Sequence, residues 1–123
     1  PDATREEVLH LMQQGEYARA HPDLSMNAPS LLTEAMAAAR TSGSFDRDDV
    51  ACSPDECAAV EYFYWGLTSF LGAQGNPARC AAIAPEWELC TRAKLQANDT
   101  KLYALLTNPA YNLPTRLPDG RYR

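Results

Sequence analysis

Residues 52–75 read CSPDECAAVEYFYWGLTSFLGAQG, and the fold follows from how this stretch is read. Ser53 stands where a helix cap belongs, Pro54 occupies the first helical position, and Asp55 and Glu56 fill the first turn. A hydroxyl to accept from free amides, a ring that fixes φ and two anions at the positive end of the helix dipole together specify a helix start. At 100° per residue, Phe70, Phe63, Leu67, Val60, Leu71 and Tyr64 fall within about 120° of one another, which is a full core-facing stripe. The opposite side carries Tyr62, Trp65, Gly66 and Ser69, with Glu61 and Thr68 as its polar members. A helix that is apolar on two sides lies between other elements, and Gly66 marks the expected crossing point. The prediction is an all-α fold: a small irregular bundle of four to six helices around a central helix at about 54–74.

The flanking sequence agrees. Thr4 with Glu7 forms a capping box for a helix from Arg5, with Val8, Leu9, Leu11 and Met12 as its stripe; Pro22 ends it at or before Ala20. LMQQGEYARA is similar to half a tetratricopeptide unit, but no second copy follows at the 34-residue period such arrays need. After a turn-rich HPDLSMNAP loop, a second helix is expected from Ala28 to about Thr41, with Leu32, Ala35, Met36 and Ala39 on one face and Gly43 as its stop. An acidic connector follows, anchored by Phe45 and Val50. Asn76–Pro77 repeats the cap-then-proline pattern for a short helix through Ile83, and Pro85 opens another over PEWELCTRAKLQAN with Trp87, Cys90 and Leu95 inward. Asp99 caps TKLYALLT. Residues 108–123 hold closely spaced prolines and a terminal Asp119–Gly120 turn, so they are expected as an extended Pro-rich tail docked on the surface by Tyr111, Leu113, Leu117 and Tyr122. The chain thus reads as one domain over 1–123, with a helical core to 107 and a tail beyond.

Composition limits function. At 123 residues and 46% hydrophobic, the chain is long enough for one real core and belongs to the folded class. The net charge is −5 without a Lys/Arg cluster, which excludes the electrostatic footprint of a nucleic-acid binder. Residues 1–61 hold 12 acids against 4 bases, whereas 62–123 hold 4 against 7. Such an acidic front and basic rear suit head-to-tail association, making a subunit of a larger assembly one reading. No apolar run reaches the roughly 18 residues of a membrane span.

Four cysteines, Cys52, Cys57, Cys80 and Cys90, in a short chain beginning at Pro1 give the expectation of an extracytoplasmic protein with disulfides. Local pairing, 52 with 57 and 80 with 90, is favoured over bridges across the core. Their spacing does not fit a zinc ribbon or finger, and the absence of CxxC removes a thioredoxin-type motif. Glu7 and His10 make a single Glu-x-x-His step, whereas a di-iron bundle needs two with two further glutamates. Asp46, Asp48 and Asp49 lack the glycine and glutamate of an EF-hand loop. No metal or other cofactor is expected.

What remains is aromatic. Tyr62, Phe63, Tyr64 and Trp65 in succession cannot all face one core, so part of the block meets another element, a pocket or a partner. The resulting expectation is a small non-enzymatic binding protein that takes a partner protein or a small apolar ligand on a face made of Tyr62, Trp65, Ser69 and Trp87. The competing expectation is a small enzyme pairing His10 or His21 with a carboxylate.

Overall fold

The computed structural model describes residues 20–25, 29–46, 54–111 and 113, the side chains of 54–57 excepted. Five α-helices occur among them: α1 (Leu31–Ser42), α2 (Pro54–Phe70), α3 (Pro77–Ile83), α4 (Arg92–Asn98) and α5 (Thr100–Thr107). Short 3-10 turns at Pro22–Leu24 and Pro109–Tyr111 flank them. The helix expected from Arg5 lies outside the described residues except for Ala20, as do Val50, the Ser53 cap and most of the tail. None of the described helices is long and apolar enough to cross a membrane.

The central helix is where the sequence put it. Every residue from Ala58 to Phe70 is buried, including Glu61 and Thr68. A helix apolar around its whole circumference is stable in water only when other elements enclose it, and α1, α4 and α5 all pack on α2. The crossing point is Gly66: a β-carbon there would collide with Leu102 Cδ2, so α5 approaches through the space that glycine leaves open. The helix stops at Phe70 rather than near residue 74. Gly72 takes a left-handed φ of 87°, and the amides of Gly72 and Ala73 turn back to the carbonyls of Ser69 and Thr68, which closes the last turn.

Local signals also set α1. Ser30 Oγ accepts from the Thr33 amide while Thr33 Oγ1 accepts from the Ser30 amide, a reciprocal cap that starts the helix three residues later than Ala28. Leu32, Ala35, Met36 and Ala39 are its buried face, and Gly43 at φ 86° ends it. Asn76 caps α3 and Asp99 caps α5, both as expected.

The stretch after Pro85 departs from expectation. Residues 84–91 are not helical: Glu86 and Trp87 fold their amides back onto Ile83 O, and the chain then runs extended. Phe45 and Trp87 form an antiparallel bridge, with Asp46 N donating to Glu86 O and Glu88 N to Ser44 O at 2.8 and 2.9 Å. These bonds to a distant segment claim backbone groups that a helix would have used internally. Helix α4 therefore begins only at Arg92, where Thr91 Oγ1 accepts from the Lys94 amide. Trp87, Cys90 and Leu95 are nonetheless buried, as the pattern required. At the C-terminal end, Pro109–Tyr111 makes one 3-10 turn where extended chain was expected; Tyr111 is buried and Leu113 packs partly buried against the core.

Candidate functional site

Three of the four residues expected on a binding face meet in the interior. Tyr62, Phe45 and Trp87 pack as a triangle of rings, with centroids 5.4 Å (Phe45–Tyr62), 5.9 Å (Tyr62–Trp87) and 6.3 Å (Phe45–Trp87) apart, tilted or edge to face. Trp87 Nε1 donates to Ser69 Oγ at 2.9 Å and to Leu89 O at 3.0 Å. Tyr62, Ser69 and Trp87 are each 0% exposed. Trp65 lies apart from them, at the edge: its Nε1 donates to Glu86 Oε2 at 2.7 Å, and the Arg79 guanidinium sits 5.7 Å over its ring. The element that closes over this side of α2 is the irregular 84–91 segment, which the sequence reads as a helix.

Tyr62 also carries the most buried ionisable contact described. Its hydroxyl donates to Asp99 Oδ2 at 2.5 Å, while Asp99 Oδ1 caps α5 through the Leu102 amide at 3.1 Å. Burial, reinforced by the neighbouring carboxylate, drives the Tyr62 phenol far above its ordinary range. Burial likewise raises the Asp99 carboxyl, against the opposing pull of its bonds from Tyr62 and Leu102. The pair joins α2 to α5 and is enclosed, so it works as a structural clamp.

The histidine alternative leads to a different corner. His10 and Glu7 lie outside the described residues. His21 packs edge-on against Tyr111 with centroids 5.0 Å apart, and Tyr111 donates its hydroxyl to Asp23 Oδ2 at 3.0 Å. Burial, then the bond and charge of Asp23, raise the Tyr111 phenol. Asp23 is thus engaged in pinning the C-terminal turn to the N-terminal one.

Chemistry-bearing side chains converge instead beside the disulfide. Cys80 and Cys90 are bridged, with Cα atoms 5.5 Å apart, in the local pairing that the spacing favours; Cys52 and the Cys57 side chain lie outside what the structure describes. The bridge lines an open cleft of about 630 Å³ together with Ser42, Ser44, Glu88, Lys94 and Asn98. Helix α1 delivers Ser42 and, just beyond its glycine stop, Ser44; the two hydroxyls are 3.1 Å apart. Helix α4 delivers Lys94 and Asn98, one turn apart, with Asn98 Nδ2 donating to Lys94 O. Lys94 Nζ stands 3.9 Å from Cys90 Sγ. The lining mixes polar groups of both charges with Ala81 and Ala84, and its Leu89 and Cys90 are buried.

Of these residues, sequence reasoning singled out the two cysteines alone. The signal for Lys94 and Asn98 was Thr91: taken as the cap in place of Pro85, it puts both on one face of a short helix and leaves the residues before it as a connecting segment. Ser42 and Ser44 had no local signal at all. Among the described residues no group of three His, Cys, Asp or Glu side chains is placed to hold a metal ion, and Asp48 and Asp49 of the acidic connector lie outside them. Comparison with protein-family models, with curated proteins and with solved structures finds no match to this chain.

Proposed function

We propose that this chain is a small non-enzymatic binding domain of an extracytoplasmic protein, and that it takes a short polar segment of a partner protein in the cleft beside Cys80–Cys90. The observation that carries the reading is where polar side chains are spent. The aromatic block first suggested as a binding face is used internally, whereas the cleft is open and is lined by the exposed polar residues Ser42, Glu88, Lys94 and Asn98. Backbone N–H and C=O groups of an extended peptide find both donors and acceptors on such walls, and a rigid floor lowers the ordering cost of binding. The disulfide favours a compartment that keeps thiols oxidised.

The test is an amide-resolved NMR titration with a library of short polar peptides. Shifts concentrated at Ser42, Leu89, Lys94 and Asn98, abolished in a Ser42→Leu/Asn98→Leu variant that keeps its fold, are the expected result. Binding that shifts resonances elsewhere and survives those substitutions overturns the assignment.

A further inference from the structure

The bridge in the cleft has an unequal environment at its two sulfurs. Cys80 is partly exposed and its Sγ lies 3.3 Å from the Gln74 carbonyl oxygen; Cys90 is 1% exposed and its Sγ faces Lys94 Nζ at 3.9 Å. The oxygen beside Cys80 is the Gln74 backbone carbonyl; the Gln74 side chain is separately engaged, Nε2 donating to Thr68 Oγ1 at 3.0 Å and Oε1 accepting from Arg79 Nε at 2.8 Å. The carbonyl dipole opposes a thiolate on Cys80, whereas the Lys94 cation offsets the cost that burial places on a thiolate at Cys90. Glu88 is the other charged group lining the cleft.

The segment between the cysteines also has anchors other than the bridge. Trp87 is locked into the ring triangle and bonded to Ser69 and Leu89, and the backbone of 86–88 is paired with 44–46. Opening the S–S bond leaves those attachments intact. A bridge that is reachable, set between unlike electrostatic neighbours and backed by other attachments of its loop is placed for exchange.

We propose that Cys80–Cys90 is a thiol–disulfide exchange site with a set direction. A small-molecule or peptide thiolate enters the cleft and its sulfur bonds to Cys80 Sγ; the Cys80–Cys90 bond breaks, and its electron pair leaves on Cys90 Sγ as a thiolate held beside Lys94. The incoming thiol and Cys80 become a mixed disulfide, so one disulfide is consumed and one formed with no external oxidant. Return attack by the Cys90 thiolate on Cys80 expels the thiol and restores the bridge. Lys94 is a positioning residue here, acting through the leaving sulfur. The site is independent of whether the cleft binds a peptide.

The experiment incubates the folded protein with reduced glutathione without denaturant, quenches with excess alkylating reagent and maps the products by peptide mass spectrometry. The expected product carries glutathione on Cys80 and the alkyl group on Cys90. Lys94→Met slows adduct formation about three- to fivefold, the factor that about 1 kcal/mol of charge interaction at this distance in a solvated site supports. Lys94→Arg restores the rate, and Lys101→Met, on another helix, leaves it unchanged. Far- and near-ultraviolet circular dichroism confirms that each variant is folded. Glutathione on Cys90, equal rates for Lys94→Met and the parent, or a bridge that reacts only after denaturant is added would each overturn the proposal.

Discussion

Helix α2 and the segment joining α3 to α4 are held in the same fold by different means: residues 58–70 are all buried, whereas within 84–91 only Trp87, Leu89 and Cys90 are. In α2 the periodic apolar pattern does the work: side chains on all sides are removed from water, and the backbone satisfies itself internally. The 84–91 segment has no repeating hydrogen bonds. It depends on one covalent bridge, one inserted tryptophan and a pair of backbone bonds to 44–46. Burial by pattern is spread over many residues, whereas burial by anchors concentrates the consequence of each change.

The sharpest way to break the contrast is Trp87→Ala. Removing a fully buried indole with both its partners is expected to destabilise the protein by about 3–5 kcal/mol, measured by chemical denaturation. A loss below about 1 kcal/mol would show that the bridge alone holds the segment. Next comes the bridge itself. Replacing both Cys80 and Cys90 with serine opens a short loop, for which the chain-entropy relation gives about 2–3 kcal/mol; near-ultraviolet circular dichroism of the variant should stay native-like, since Trp87 remains seated.

Tyr62→Phe tests the clamp between α2 and α5. It removes a donor from a buried carboxylate, at an expected cost of about 1–3 kcal/mol. Because burial has already raised the Asp99 carboxyl in the folded state, the folded protein binds that proton more tightly than the unfolded chain. The stabilisation is therefore greatest at low pH and declines as pH rises from the ordinary carboxylate range toward the raised folded value. Loss of the Tyr62 bond, which lowers that value, should extend the decline to higher pH, and Asp99→Asn should remove this component of the pH dependence. Denaturation midpoints collected across that range decide it.

The smallest expected effect is at Gly66. Alanine gains up to about 1 kcal/mol of helix propensity but collides with Leu102 Cδ2, an overpacking cost of about 1–3 kcal/mol. The net is a loss of about 1 kcal/mol, and pairing it with Leu102→Ala should give less than the sum of the two single losses.

The same division explains what the sequence made legible. Elements set by neighbouring residues were readable: the α2 stripe, the Asn76 and Asp99 caps and the glycine stop of α1 all depend on contacts within a few positions. Even the Gly66 crossing followed from a lone glycine amid large side chains. The 84–91 segment was misread because Pro85 with Glu86 imitates a helix start, and what cancels it is a bridge to Phe45, far away in the chain. Tyr62 and Trp65 looked like a surface for the same reason. Asp99, which accepts the Tyr62 hydroxyl, is 37 residues away, and Glu86, which bonds Trp65, sits in the misread stretch. The cleft has three sources, the end of α1, the bridged segment and α4, and no spacing within one stretch announces it.

A helix enclosed on every side has a consequence for how this protein can change. Residues 58–70 have no solvent-facing positions at which variation is free, so drift and selection alike are confined to the shell around them. An engineered library should follow the same map: diversity placed at 42, 88, 94 and 96–98 varies the molecule's outward chemistry, while the central rod stays as an untouched template.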